Sequence, residues 1–77
     1  MKDLLTLLAR GLVKDAHRVH VHERSVAPGE VAFELEVAPD DRGRVIGRGG
    51  RTVDAMRTLL LAVAKRRGET CSLEIAE

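Results

Sequence analysis

The chain has 77 residues, 44% hydrophobic and 32% charged, so it forms one small domain and is too short for two cores. A single cysteine, Cys71, excludes an internal disulfide, so packing or a partner surface must hold the fold. The formal charge of +1 excludes a generally basic protein, yet residues 42–67 carry eight Lys/Arg against one acid, Asp54, and the remainder five against eleven, so one local basic face is expected.

In chain order, Met1-Lys2-Asp3 leads into an apolar run, Leu4 to Leu8, that Arg10 cuts short. Neither a signal peptide nor a membrane span is expected, and the protein is read as cytoplasmic. Residues 3–15 place Leu4, Leu5, Leu8, Leu12 and Val13 on one helical stripe. Leu7 lies off that stripe and Gly11 permits close approach of another backbone, so a second protein is expected to dock there.

Residues 18–38 read as a hairpin. Val19 and Val21 alternate with His20 and His22, and Val31, Phe33, Leu35 and Val37 alternate with Ala32, Glu34 and Glu36. Pro28-Gly29 supplies the fixed negative φ and permissive positive φ of a type II turn between them. His20 and His22 share a strand face but lack a third ligand, so no metal site is expected.

Pro39 stops the second strand, Asp40 is expected to cap a short helix reaching Ile46, and Gly47 to end it in the left-handed conformation. Asp40 and Asp41 are better explained by that helix start than by acid–base chemistry, and no catalytic triad is evident. From Arg51 to Arg67, Val53, Met56, Leu60 and Val63 recur at helical spacing; Lys65 to Arg67 suit the negative end of the helix dipole, and Gly68 ends the run. Residues 70–76 form a last strand in which Cys71, as a small hydrophobe, faces inward with Leu73 and Ile75.

The segment that carries chemistry joins the two later helices, Val45-Ile46-Gly47-Arg48-Gly49-Gly50-Arg51-Thr52-Val53. Glycines let backbone amides reach contact distance of a phosphate just where a helix presents its unpaired N–H groups and positive dipole end. Arg48 and Arg51 add guanidinium forks for phosphate oxygens, with Arg44 and Arg42 behind them on the short helix. Arg51 in a first helical turn opposes the dipole, a conflict that a bound anion removes. On spacing alone, a glycine turn with merely solvated arginines explains the pattern as well.

The α-β-β-α-α-β order, with Val45-Ile46-Gly47-x-x-Gly50-Arg51-Thr52 between its last two helices, resembles a type II KH domain over essentially the whole chain. Length, the leucine-rich first helix, Pro39-Asp40-Asp41 and the ending Arg66-Arg67-Gly68-x-x-x-x-Leu73-Glu74-Ile75 are similar to the small bacterial single-KH RNA-binding proteins of the KhpA type. That resemblance implies an α+β fold, a three-stranded sheet with helices packed on one face, built as one domain from helix 3–15, hairpin 18–38, helix–GxxG–helix 40–67 and strand 70–76. It implies single-stranded RNA gripped by Gly47, Arg48, Gly49, Gly50 and Arg51, flanked by Arg44 and Arg42, with bases along an aliphatic groove. Val37, Val45 and Ile46 are groove candidates, although periodicity assigns Val37 and Ile46 to the core. Gly49 stands where the family commonly carries a polar residue, which loosens the loop while leaving the backbone grip.

The resemblance further implies an RNA chaperone or regulator that acts with a KhpB-like second KH protein or as a homodimer, with a role in cell-shape or cell-wall control. No enzyme activity, cofactor, metal, membrane contact or small-molecule substrate is expected. With Phe33 as the only aromatic residue, base-stacking RNA folds are disfavoured. The competing readings are a helix-turn-helix DNA reader using Arg51 and Arg57, and a protein interaction module in which the basic loop is incidental.

Overall fold

The computed structural model describes residues 1–77. The elements are α1 (Lys2–Leu12), β1 (His20–Ala27), β2 (Glu30–Glu36), α2 (Arg42–Ile46), α3 (Arg51–Arg66) and β3 (Thr70–Ile75), with short 3-10 turns at Ala16–Arg18, Pro39–Asp41 and Arg48–Gly50.

Leu5 and Ala9, four residues apart on α1, are fully buried, while Leu7 on the opposite side is 69% exposed. The helix stops at Leu12, short of the expected residue 15, because Val13 turns extended and the amides of Lys14 and Asp15 donate to the carboxylate of Asp41. Those amides can no longer serve a helix, which needs them for its own carbonyls.

Both strands of the hairpin run longer or shift against expectation only at their ends. Gly29 takes φ +76° after Pro28, as a type II turn requires, and Ala27 pairs with Glu30 across it. The register slips between Ser25 and Ala27, a bulge that leaves Val26 exposed at the hairpin end.

The sheet order is β1-β2-β3, with β1 antiparallel and β3 parallel to β2. A parallel neighbour needs a crossover connection, and α2, the glycine loop and α3 together supply it. Val21, Phe33, Leu35 and Leu73 point from the sheet into a core shared with Leu5, Ala9, Val45, Val53, Met56 and Leu60. The other face is bare: His20, His22, Arg24, Glu34, Glu36, Ser72 and Glu74 are exposed along it.

On α3 the buried residues are Val53, Met56, Leu60 and Ala64. Ala64 takes the inward place that spacing assigned to Val63, which is half-buried on the flank of the stripe. Cys71 is half-buried beside the core, and burial, with the charge of Glu69 behind it, pushes its thiol above the ordinary 9.0. The thiol therefore stays protonated at neutral pH, as suits a small packing group.

Candidate nucleic-acid interface

A five-residue helix such as α2 has no stability of its own and must be held by its surroundings. Val45 pins one side of it in the core with no exposed surface. At its start stands Asp41, the one buried charged residue, whose two carboxylate oxygens accept from the Lys14 and Asp15 amides at 3.1 Å each. Arg44 Nε lies 3.4 Å from the same carboxylate. The Lys14 amide chiefly, opposed by burial and helped by the Asp15 amide, Arg44 and Lys14, holds this carboxyl below its ordinary 3.8. One side chain thus ties the tail of α1 to the basic helix.

Asp40 does not make the capping bond expected of it; neither the Pro39–Asp41 turn nor α2 has a side-chain cap. The chain enters α2 through a 3-10 turn, so Asp41 just before it already has helical φ/ψ (−96°, −7°). A cap requires an extended residue there, aiming its oxygen at the first amides.

The loop Gly47–Gly50 carries positive φ at three of its four residues. Gly47 sits at φ 76°, ψ 171°, a region open to glycine alone rather than the left-handed helical conformation expected. Gly49 (65°, 18°) and Gly50 (79°, 11°) are left-handed. Gly47 donates to Gly43 O at 2.9 Å and Gly50 to Gly47 O at 3.1 Å, so the turn is closed by its own backbone. A Cβ on Gly47 would lie 2.8 Å from Thr52 Cβ and 2.9 Å from Thr52 N, with Thr52 Oγ1 closer still. A Cβ on Gly49 would meet nothing within 4 Å.

These torsions deliver the chain directly into α3, whose first turn follows Gly50. Arg48, Gly49 and Arg51 are exposed at that junction, and neither arginine is in an ion pair. Asp54, the only acid of the basic segment, is turned onto Arg57 at 2.9 Å. Of the two arginines on α2, Arg44 is half-exposed and shared with Asp41, whereas Arg42 is half-buried with its Nε buried and unpartnered in the protein. The seven residues singled out in the sequence therefore fall into the four loop positions Gly47–Gly50, Arg51 at the start of α3, and two on the helix leading into the loop.

Among the three apolar groove candidates, Val37 and Val45 belong to the core, as periodicity has it for Val37. Ile46 does not: it is 38% exposed directly before the loop, because α2 ends there and the chain swings away from the core through Gly47. Sequence reasoning also passed over Thr52, whose contact with Gly47 leaves no trace in spacing or period.

The molecule's concavity, about 220 Å³ and lined by His22, Arg24, Ala32, Phe33, Glu34 and Glu74, lies on the bare sheet face rather than at the loop. Glu34 and Glu74 are register partners there, and His22 Nε2 lies 3.3 Å from Glu36. Three glutamates, Glu34, Glu36 and Glu74, against Arg24 give that face a negative balance, which disfavours a polyanion there.

A family model described as KhpA/KhpB, KH domain, matches residues 2–75. The chain is 43% identical over 77 residues to the RNA-binding protein KhpA of Chlamydia caviae, covering all of this chain and 97% of the relative. It is 40% identical to the protein of that name from Aquifex aeolicus (all of this chain, 96% of the relative) and 37% to that of Clostridium perfringens (97% and 99%). No solved structure matches.

Proposed function

The chain belongs to the KhpA/KhpB family of KH domains, and from that membership we propose that it is a non-catalytic binder of single-stranded RNA that grips the strand's backbone with the loop Gly47–Gly50. The observation that carries this reading is the junction itself: three positive-φ glycines lead into the first turn of α3 beside two unpaired arginines, Arg48 and Arg51. Glycine torsions bring the main chain close to a phosphate, and the guanidinium groups fork onto its oxygens. Arg42 and Arg44 extend the positive field along α2, and exposed Ile46 offers an aliphatic wall for a base.

Within the same reading the protein works in the cytoplasm as an RNA chaperone or post-transcriptional regulator, with a second KH protein of the KhpB kind or as a homodimer. Exposed Leu7 on α1 and Leu59 on α3 support association. Cell-shape or cell-wall control is the physiological setting that goes with this family resemblance.

The helix-turn-helix alternative loses its second base-reading candidate, because Arg57 is engaged with Leu73 O and Asp54. Titration with unpaired oligoribonucleotides, followed by amide NMR, tests the reading. Signals of residues 44–53 are expected to move first; if they stay still while RNA binds, the loop is not the site.

A further inference from the structure

Thr52 occupies the second position of α3, where helix energetics give no reason for it. Threonine is a poor helix former, and the start of α3 has no side-chain cap. The hydroxyls of Thr6 and Thr58 bond back to the carbonyl four residues earlier, Lys2 O at 2.9 Å and Asp54 O at 3.0 Å. Thr52 has no such carbonyl, since the residue four back is Arg48 in the loop, and its hydroxyl makes no hydrogen bond within the protein.

What Thr52 does instead is fill the space where any other residue at position 47 would carry its Cβ. Its Oγ1, Cβ and amide all crowd that point, so the side chain rests on Gly47 across the base of the loop. Gly47 sits at φ 76°, ψ 171°, and a glycine is free to leave such a conformation because it has no side chain to trap it. Two backbone hydrogen bonds close the turn, Gly47 N to Gly43 O and Gly50 N to Gly47 O, and Thr52 is the side chain packed against its outer side.

We propose that Thr52 is a positioning residue for RNA: its side chain, seated on Gly47, holds the loop in the one arrangement that aims the Gly47–Gly50 backbone and Arg48 at a phosphate. This deepens the loop-binding reading and rests on it. The hydroxyl oxygen is the atom nearest the point where Gly47 would carry a Cβ, so serine retains that contact, while alanine removes it and keeps only the Cβ and amide.

The test compares Thr52→Ala and Thr52→Ser with the parent chain, using a labelled single-stranded oligoribonucleotide and amide NMR of the protein without RNA. Thr52→Ala is expected to displace or broaden the amides of residues 47–51 in the free protein and to weaken RNA about tenfold, the loss from misaligning one hydrogen bond to a charged group. Thr52→Ser is expected to restore both, and all three proteins melt alike. Unaltered affinity in Thr52→Ala overturns the proposal, as does lost affinity with free-state loop amides unmoved, which marks a direct hydroxyl contact instead. The double variant Arg48→Asp/Gly49→Asp separates the layers: if it too binds normally, the loop reading has failed rather than the role of Thr52.

Discussion

Arg57 closes on the carbonyl oxygen of Leu73 with two donors, Nε at 3.1 Å and Nη2 at 3.0 Å, while Nη1 holds Asp54 at 2.9 Å. The fork ties α3 to β3, the strand at the sheet edge, and takes this arginine out of the pool available to nucleic acid.

Removing it is therefore expected to harm the fold and spare the binding. Arg57→Ala leaves the Leu73 carbonyl short of its donors and costs about 1–3 kcal/mol in denaturant unfolding. Arg57→Lys loses most of that as well, since an ammonium cannot reproduce the planar fork. Affinity for unpaired RNA, measured where the variant is fully folded, stays within about twofold; a large drop with an intact fold would place Arg57 on the RNA.

The loop is expected to behave in the opposite way. Arg48→Asp/Gly49→Asp, which would set two carboxylates against phosphate, is expected to abolish retention of RNA in a gel shift and to leave the circular dichroism spectrum unchanged. Gly49 is left-handed with open space around it, and aspartate tolerates that conformation better than most residues. The parent chain should show a log affinity against log salt slope of about −0.7 for each of roughly two to four phosphate contacts. A flat salt response contradicts an electrostatic grip.

Two glycines of the same loop are expected to respond differently to alanine. Gly49→Ala meets no neighbour and pays only for the left-handed conformation, about 1 kcal/mol. Gly47→Ala combines a glycine-only conformation with collision against Thr52 and its amide, about 1–3 kcal/mol of strain before the clash is counted. Thermal melts rank the two, and equal midpoints refute the account of Gly47.

Asp41 gives the fold an acid limb. Its carboxyl is held below 3.8, so the stabilisation is complete above that value and fades as pH falls through the lower folded-state value. Asp41→Asn keeps the shape but sacrifices one acceptor oxygen and the charge facing Arg44. The variant is expected to melt several degrees lower at neutral pH, with the gap to the parent narrowing toward pH 3. A gap that is constant between pH 7 and pH 3 contradicts this linkage.

Much of this architecture was legible in order and kind. Period 3.6 and period 2 mark α1, α3 and the strands because each has one wet and one dry side. Glycines mark the loop because nothing else adopts those torsions cheaply. What escaped was set by contacts distant in sequence. The end of α1 is decided by Asp41, which lies 26 and 27 residues beyond the two amides it collects. The exposure of Ile46 follows from the exit direction of α2, and the seat of Thr52 on Gly47 from the angle between loop and helix. Neither angle is written in residue type. Ala64 takes the inward place instead of Val63 because the stripe steps by four residues from Met56 through Leu60, a choice that the 3.6-residue period leaves open between positions 63 and 64.

The parallel pairing of β2 with β3 has a consequence for how the molecule is made. A ribosome releases Gly47–Gly50 well before Thr70–Ile75, yet the crossover that braces the loop is anchored at its far end only when that closing strand zips into place. A chain cut back to Arg67 keeps every residue of the glycine motif but loses the strand to which α3 is tied through Arg57 and Leu73, so such a truncation is expected to weaken RNA binding although no loop residue is removed.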